Sequence, residues 1–268
     1  TSMHIRTVLR DSIFARWQER MIIGAVDHQV CITENEKASL ESIAGRPSNG
    51  TVIYNIVSPP NSSVEANNPC DETPFTIASL SNFDWVRGTD RLIGIAECLA
   101  AMNRRDIRFV MGGHIAVSRN LPGELGEIGR RGGTLANFAA ARGVSDMFDF
   151  RGHVPDPENI LAKSHVLAKP TREANPWGRD IIEGLAAGRP VITCGRYDRF
   201  VEDRVTGILL PKFDAETFAQ RIVELADNRA LLKSMSEAAK RRVADLCDGP
   251  ARSNDLLSVW RSLMATKD

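Results

Sequence analysis

Arginine, aspartate and glutamate crowd the front of an otherwise small and apolar segment, NPWGRDIIEGLAAGRPVITCG, residues 175–195. The order reads as a short helix, a sharp stop at Gly188-Arg189-Pro190, and a buried strand beginning at Val191. A helix start leaves its first amides without internal partners and carries partial positive charge. Gly178 at that start lets a ligand approach the backbone, so the geometry suits an anion. Glu183 lies more than a turn further on, beside Ile181, Ile182 and Leu185. A carboxylate there can accept hydrogen bonds from hydroxyl groups; a salt bridge or a helix-dipole effect is the competing explanation. Asp180, in the first turn, is explained equally well by helix stability alone.

Three further loops carry groups of the same kind. In SLSNFDWVRGTDRL, residues 79–92, a strand runs through a polar loop to Arg87-Gly88 at a helix start. A planar, permanently charged guanidinium beside a helix terminus suits a phosphate, although a plain surface arginine would look the same. Gly112-Gly113 ends a strand and permits close backbone approach; His114 follows, either lining a cleft or serving the fold. Gly152-His153-Val154 turns out of a strand, and its backbone can read the edge of a nucleobase or simply make the turn. The glycines do not complete G-x-G-x-x-G, and no Walker loop, G-x-S-x-G, H-E-x-x-H or D-x-D is present. The sequence offers no metal site and implies no cofactor.

The elements that must position these groups alternate. Ile5, Leu9, Ile13, Trp17 and Met21 recur every fourth residue and predict an amphipathic helix, its arginines marking a solvated side rather than a membrane-facing one. QVCIT (29–33) and TVIYNIV (51–57) read as strands around a helix over ENEKASLESIA. Residues 58–74 hold four prolines among Asn and Ser and read as a linker. Beyond it come strands at 75–80, 107–113, around MFDFRGHV, 165–170 and from 191. Helices are expected at 88–102, over much of 123–142, at 157–163, around 214–226, 229–246 and 251–264. Strands alternating with helices predict an α/β fold, a Rossmann-like parallel sheet covered on both faces. Ligands of such sheets bind beyond the carboxyl ends of the strands, where all four loops lie.

Bulk composition excludes several classes. A formal net charge of zero gives no overall attraction to nucleic acid or acidic lipid, so any anion must be caught locally. Cysteines at 31, 70, 98, 194 and 247 are scattered and odd in number, without C-x-x-C, which argues against a disulfide framework and for a reducing, cytoplasmic compartment. No stretch has the length of a transmembrane helix.

These segments in this order resemble the C-terminal half of the retaining, two-Rossmann (GT-B) glycosyltransferases of family 4. The likeness is strongest in NPWGRDIIEGLAAGRPVITCG followed by VEDRVTGILLPKFDAETFAQRI, and extends to ASLSNFDWVRGTDRLI and DFRGHVPDPENILAKSHVLAKPTRE. Residues 28–57 look like the last α/β unit of the N-terminal domain. The resemblance implies a remnant of an acceptor domain at 1–57, a linker at 58–74, a nucleotide-sugar donor domain at 75–248, and a helix at 249–268 crossing back to the N-terminal part. It implies a nucleoside diphosphate sugar as substrate, a glycosyl acceptor as partner, and no resident cofactor. Glu183 matches the second glutamate of the family's E-x7-E motif, expected at the ribose. The first position falls on Asn175, with Glu173 two residues early as a substitute. Trp177, Gly178, Arg179 and Asp180 match the loop whose backbone faces the sugar and phosphates. Arg87-Gly88 stands at the family's diphosphate-binding lysine, Ser79 where an arginine is usual, and His153-Val154 on the nucleobase side.

The chain is short for two full domains, so the acceptor half is expected elsewhere in the native chain or in a partner chain. The expected activity is transfer of a hexose-like sugar with retention, at a cytoplasmic site with peripheral membrane attachment left open. A nucleotide-sugar epimerase of the same fold group, a non-catalytic nucleotide-sugar module and a plain interaction domain are the rival readings.

Overall fold

A computed structural model describes residues 1–6, 13–58, 72–174 and 176–265. It divides into two compact units, Thr1–Ser58 with Asp245–Asp268, and Pro59–Ala244.

In the first unit β1 (Ser2–Ile5), β2 (His28–Cys31) and β3 (Thr51–Val52) form a parallel sheet in that order. Helix α1 (Ile13–Gly24) connects β1 to β2, and α2 (Glu34–Ala44) connects β2 to β3. The sequence of α2 sets its ends: the Thr33 hydroxyl accepts the Asn35 amide at 3.2 Å, and Gly45 closes the helix at φ 68°. Ile5, Ile23, Cys31 and Leu40 make its small core. The expected helix from Ile5 is corrected: Ile5 lies in β1, and the helix starts eight residues later, with Leu9 outside the described residues. Trp17 and Met21 are each 62% exposed, so the predicted apolar stripe is not an inward face of this unit. The expected strand over 51–57 contracts to two residues; Ile53 and Tyr54 are buried beyond the ladder. Most of the expected linker, and the tail 266–268, lie outside the described residues.

The second unit is built on six parallel strands: β4 (Phe75–Leu80), β5 (Ile107–Gly112), β6 (Phe148–Gly152), β7 (Val166–Lys169), β8 (Val191–Cys194) and β9 (Gly207–Leu210). Their order is β6-β5-β4-β7-β8-β9, so the progression reverses between β4 and β7. That reversal opens a crevice beyond the carboxyl ends of the two strands. Helices α3 (Arg91–Ala101), α4 (Gly123–Arg130), α5 (Leu135–Ala141), α6 (Glu158–Ala162), α7 (Arg179–Ala186), α8 (Ala215–Asp227) and α9 (Arg229–Leu246) complete the crossovers, and α3 packs on α8. Ile77, Leu92, Ile95, Leu99, Phe109, Phe218 and Ile222 lie in one core and have no exposed surface. Helix α10 (Gly249–Ala265) belongs to the first unit, where the Trp260 indole donates to the Ser2 hydroxyl at 3.3 Å.

Three differences from expectation have local causes. The stretch 123–142 is two helices because Gly132 adopts φ 72° and Thr134 then caps afresh, its amide and hydroxyl meeting Asn137 Oδ1. Helix α3 begins at Arg91 rather than 88 because residues 85–90 form tight turns. Asp90 stands at its N-cap without capping it, its carboxylate being claimed by Arg172. Strand β9 was not anticipated; Gly207 lets it lie against β8, where an added Cβ would sit 2.1 Å from the Val191 carbonyl oxygen.

Candidate functional site

The floor of the crevice is backbone. The Gly113 amide donates to the Gly152 carbonyl at 2.6 Å, and the Phe83 amide to the His114 carbonyl at 2.6 Å. Asn82 Oδ1 accepts the His114 amide at 2.9 Å, joining the loops after β4 and β5. Gly113, at φ 133°, is required by this contact: a Cβ would lie 2.6 Å from the Ser81 oxygen.

Over this floor lies a pocket of about 200 Å³ lined by Leu80, Asn82, Arg87, Gly112, Gly113, His153, Val154, Pro157 and Glu183. Of the residues singled out from sequence, Arg87, Gly112, Gly113, His153, Val154 and Glu183 meet here. The Arg87 side chain is exposed and has no hydrogen-bond or ion-pair partner among the described residues. Its loop, by contrast, is firmly held. Arg172 grips both oxygens of Asp90 at 2.8 and 2.6 Å, donates to the Trp85 carbonyl at 2.6 Å, and stacks its guanidinium 3.4 Å over the Trp85 ring. Gly88, at φ 71°, presses onto the Pro170 carbonyl, where a Cβ would be 2.0 Å away. Its amide donates to Asp84, so Gly88 fixes the turn rather than offering a free donor.

Glu183 is half-buried on α7, and burial pushes its carboxyl above the ordinary value. Arg179, one turn earlier and largely exposed, opposes that shift through a 2.9 Å ion pair. At the front of the same helix the Ile181 amide is taken by Gly178 and by Asp180 Oδ1. The amides of Gly178, Arg179 and Asp180 have no partner among the described residues.

Several expectations need correction or restatement. Ser79 is 3% exposed within β4 and does not line the pocket; Asn82, three residues on, does. The Asp180 side chain is not poised toward a ligand, although its amide has no partner among the described residues. Its carboxylate is buried, held by Lys169 Nζ at 2.7 Å and the Ser81 hydroxyl at 3.0 Å. Glu173 is exposed and Trp177 packs against Phe200 with ring centroids 5.7 Å apart; neither lines the pocket. Asn175 lies outside the described residues. His114 also lies off the pocket lining, its ring 6.2 Å from that of His153. Sequence reasoning missed Lys169, Arg172 and Asn82. For Lys169 a signal existed: a lone cation ending an apolar strand, and a lone aspartate opening an apolar helix, are best buried together.

Among the described residues no cluster of three His, Cys, Asp or Glu side chains could hold a metal, and no helix is long and apolar enough to cross a membrane. Solved structures share this fold. Anabaena HepE in complex with UDP superposes with a TM-score of 0.79 at 18% identity, covering 97% of this chain and 72% of its own. Sucrose-phosphate synthase from Thermosynechococcus elongatus gives 0.75 at 20% identity, over 95% of this chain and 63% of its own. A glycosyltransferase from Rickettsia africae gives 0.72 at 18% identity, over 98% and 76%. No curated protein matches the chain in sequence. The family model of glycosyl transferases group 1 matches residues 62–242, which is more than half of the chain and contains every strand of the six-stranded sheet and the whole pocket. With the sheet reversal, the backbone floor and the cationic loop already in place, that match assigns the chain: it belongs to the group 1 glycosyl transferases and is a glycosyltransferase.

Proposed function

We propose that this chain provides the donor-binding half of a retaining transferase that moves a sugar from a nucleoside diphosphate to an acceptor. One observation carries the reading: a guanidinium without a partner among the described residues, Arg87, and a half-buried carboxylate, Glu183, from distant parts of the sequence line one pocket at the sheet's switch point. Arg87 meets the diphosphate and stabilises the charge that grows on it as the glycosidic bond breaks. The open amides at the front of α7 supply further donors to the same anion. Glu183 accepts from the ribose hydroxyls, and the backbone at His153-Val154 faces the nucleobase. The diphosphate charge is met by these groups without a divalent cation. That UDP occupies the HepE structure supports a uridine nucleotide as the first one to try. The acceptor pocket belongs to the remainder of a longer chain or to a partner, consistent with this chain spanning 63–76% of the relatives above.

The test is a thermal-shift screen of nucleoside diphosphates and their sugar conjugates, with and without EDTA. A ligand at a hundred times its dissociation constant adds about 2.7 kcal/mol of stability. No stabilisation by any nucleoside diphosphate, or stabilisation that EDTA abolishes, would overturn the reading or its metal-free form respectively.

A further inference from the structure

Strand β7 ends in an ammonium with nowhere to go but inward. Lys169 is 9% exposed, in a strand whose four residues are all buried. Its Nζ donates to Asp180 Oδ1 at 2.7 Å and to the Trp177 carbonyl oxygen at 3.0 Å. The Ser81 hydroxyl holds the other Asp180 oxygen at 3.0 Å. The network therefore ties together the loop after β4, the end of β7 and the first turn of α7. Gly178 lies directly over it: a Cβ there would be 2.5 Å from both Lys169 Nζ and Asp180 Oδ1.

The Trp177 contact has a consequence for the next amide. A peptide unit is planar and trans, so its C=O and N–H point to opposite sides. Drawing the Trp177 oxygen inward onto Lys169 turns the Gly178 N–H outward, away from the ammonium. That N–H has no partner among the described residues. Lysine and aspartate charges cancel, so the pair adds little net field to the site; what it supplies is orientation. We propose that Lys169 is a positioning residue, which sets the Trp177–Gly178 peptide so that the Gly178 amide is presented to the donor. The proposal rests on the donor-site reading above, with Lys169 acting through the backbone and touching no substrate.

Lys169→Met alone strands a buried carboxylate and risks the fold. The informative variant is therefore K169M/D180V, which removes both charges together and leaves the local net charge unchanged. Two readouts are taken on the full chain. The first is the nitrogen-15 resonance and hydrogen-exchange rate of the Gly178 amide in the free protein. The second is affinity for UDP and for inorganic pyrophosphate. The double variant is expected to shift and broaden the Gly178 resonance and to lose tenfold or more in affinity for both probes. Arg87→Ala is expected to lose affinity with the free-protein Gly178 resonance unmoved. An unmoved Gly178 amide in the double variant, or affinity within twofold of the parent, overturns the positioning role. Failure of the parent chain to bind either probe instead sinks the donor-site reading, whatever the amide does.

Discussion

The Arg172–Asp90 clamp gives the sharpest prediction for the loop that carries Arg87. Replacing Arg172 by Met removes the guanidinium stacked on Trp85 and leaves the Asp90 carboxylate, 7% exposed as a side chain, without its two guanidinium bonds. Removing one partner of a buried pair costs about 3–5 kcal/mol. The Arg172 side chain is 18% exposed, so water reaches the site and the lower figure, about 3 kcal/mol, applies. In a unit of this size each kcal/mol moves the melting temperature by roughly 2–4 °C, giving a drop of about 6–12 °C. The clamp also fixes the Trp85 carbonyl and faces the Gly88 turn, so UDP affinity should fall although Arg172 does not line the pocket. Circular-dichroism melts of R172M, D90N and the double variant, with calorimetric UDP titrations at fixed salt, read both effects. A melting shift under 2 °C for R172M, or additive single-variant losses in the double, would refute the claim that this pair anchors the loop.

Further outcomes follow from the same geometry. Arg87→Ala removes a side chain with no described partner, so stability should stay within about 0.5 kcal/mol. Loss of one charge-assisted bond of about 1.5–3 kcal/mol should weaken UDP about 10- to 150-fold, measured by calorimetry. Gly88→Ala should destabilise the unit and lower UDP affinity together, because its Cβ meets the Pro170 oxygen at a distance no contact allows; melts and titrations check it. Glu183→Gln should raise the melting temperature near pH 7 while weakening UDP. The folded carboxyl is pushed above its unfolded value, so its protonated form is favoured in the fold, and stability falls as pH rises through that window. The melting advantage of E183Q should therefore shrink toward pH 4, where the parent carboxyl is itself neutral.

How much was legible in the sequence depended on how local the determinant was. β4 and α2 match their expected spans, because apolar runs bounded by turn residues and a Thr33 cap are written in consecutive positions. The meeting of Arg87 with Glu183 was reachable through the α/β alternation, which sends both loops to the same end of the sheet. β9 was missed because four residues led by a glycine carry too little periodicity. The burial of the Asp180 carboxylate was not legible because the partner that neutralises it, Lys169, lies on another element and is recognised only once β7 and α7 are packed together. Ser79 was misplaced by register alone: β4 runs to Leu80, so residue 79 faces its neighbours and residue 82 reaches the pocket. The start of the chain failed for a different reason, since a four-residue spacing running through Ile5 cannot say where a strand gives way to a helix.

The Arg179–Glu183 pair supplies Glu183 with a counter-charge of its own. A ribose that takes Glu183 has to dislodge a guanidinium already resting on it, and that guanidinium is largely bathed in solvent. Added electrolyte then works in two directions: it loosens the grip of Arg87 on an incoming polyanion, and it also frees Glu183 beforehand. Binding should accordingly fade with ionic strength more gently than a tally of cations around the cleft implies, and substituting Arg179 by a neutral residue should restore the steeper slope.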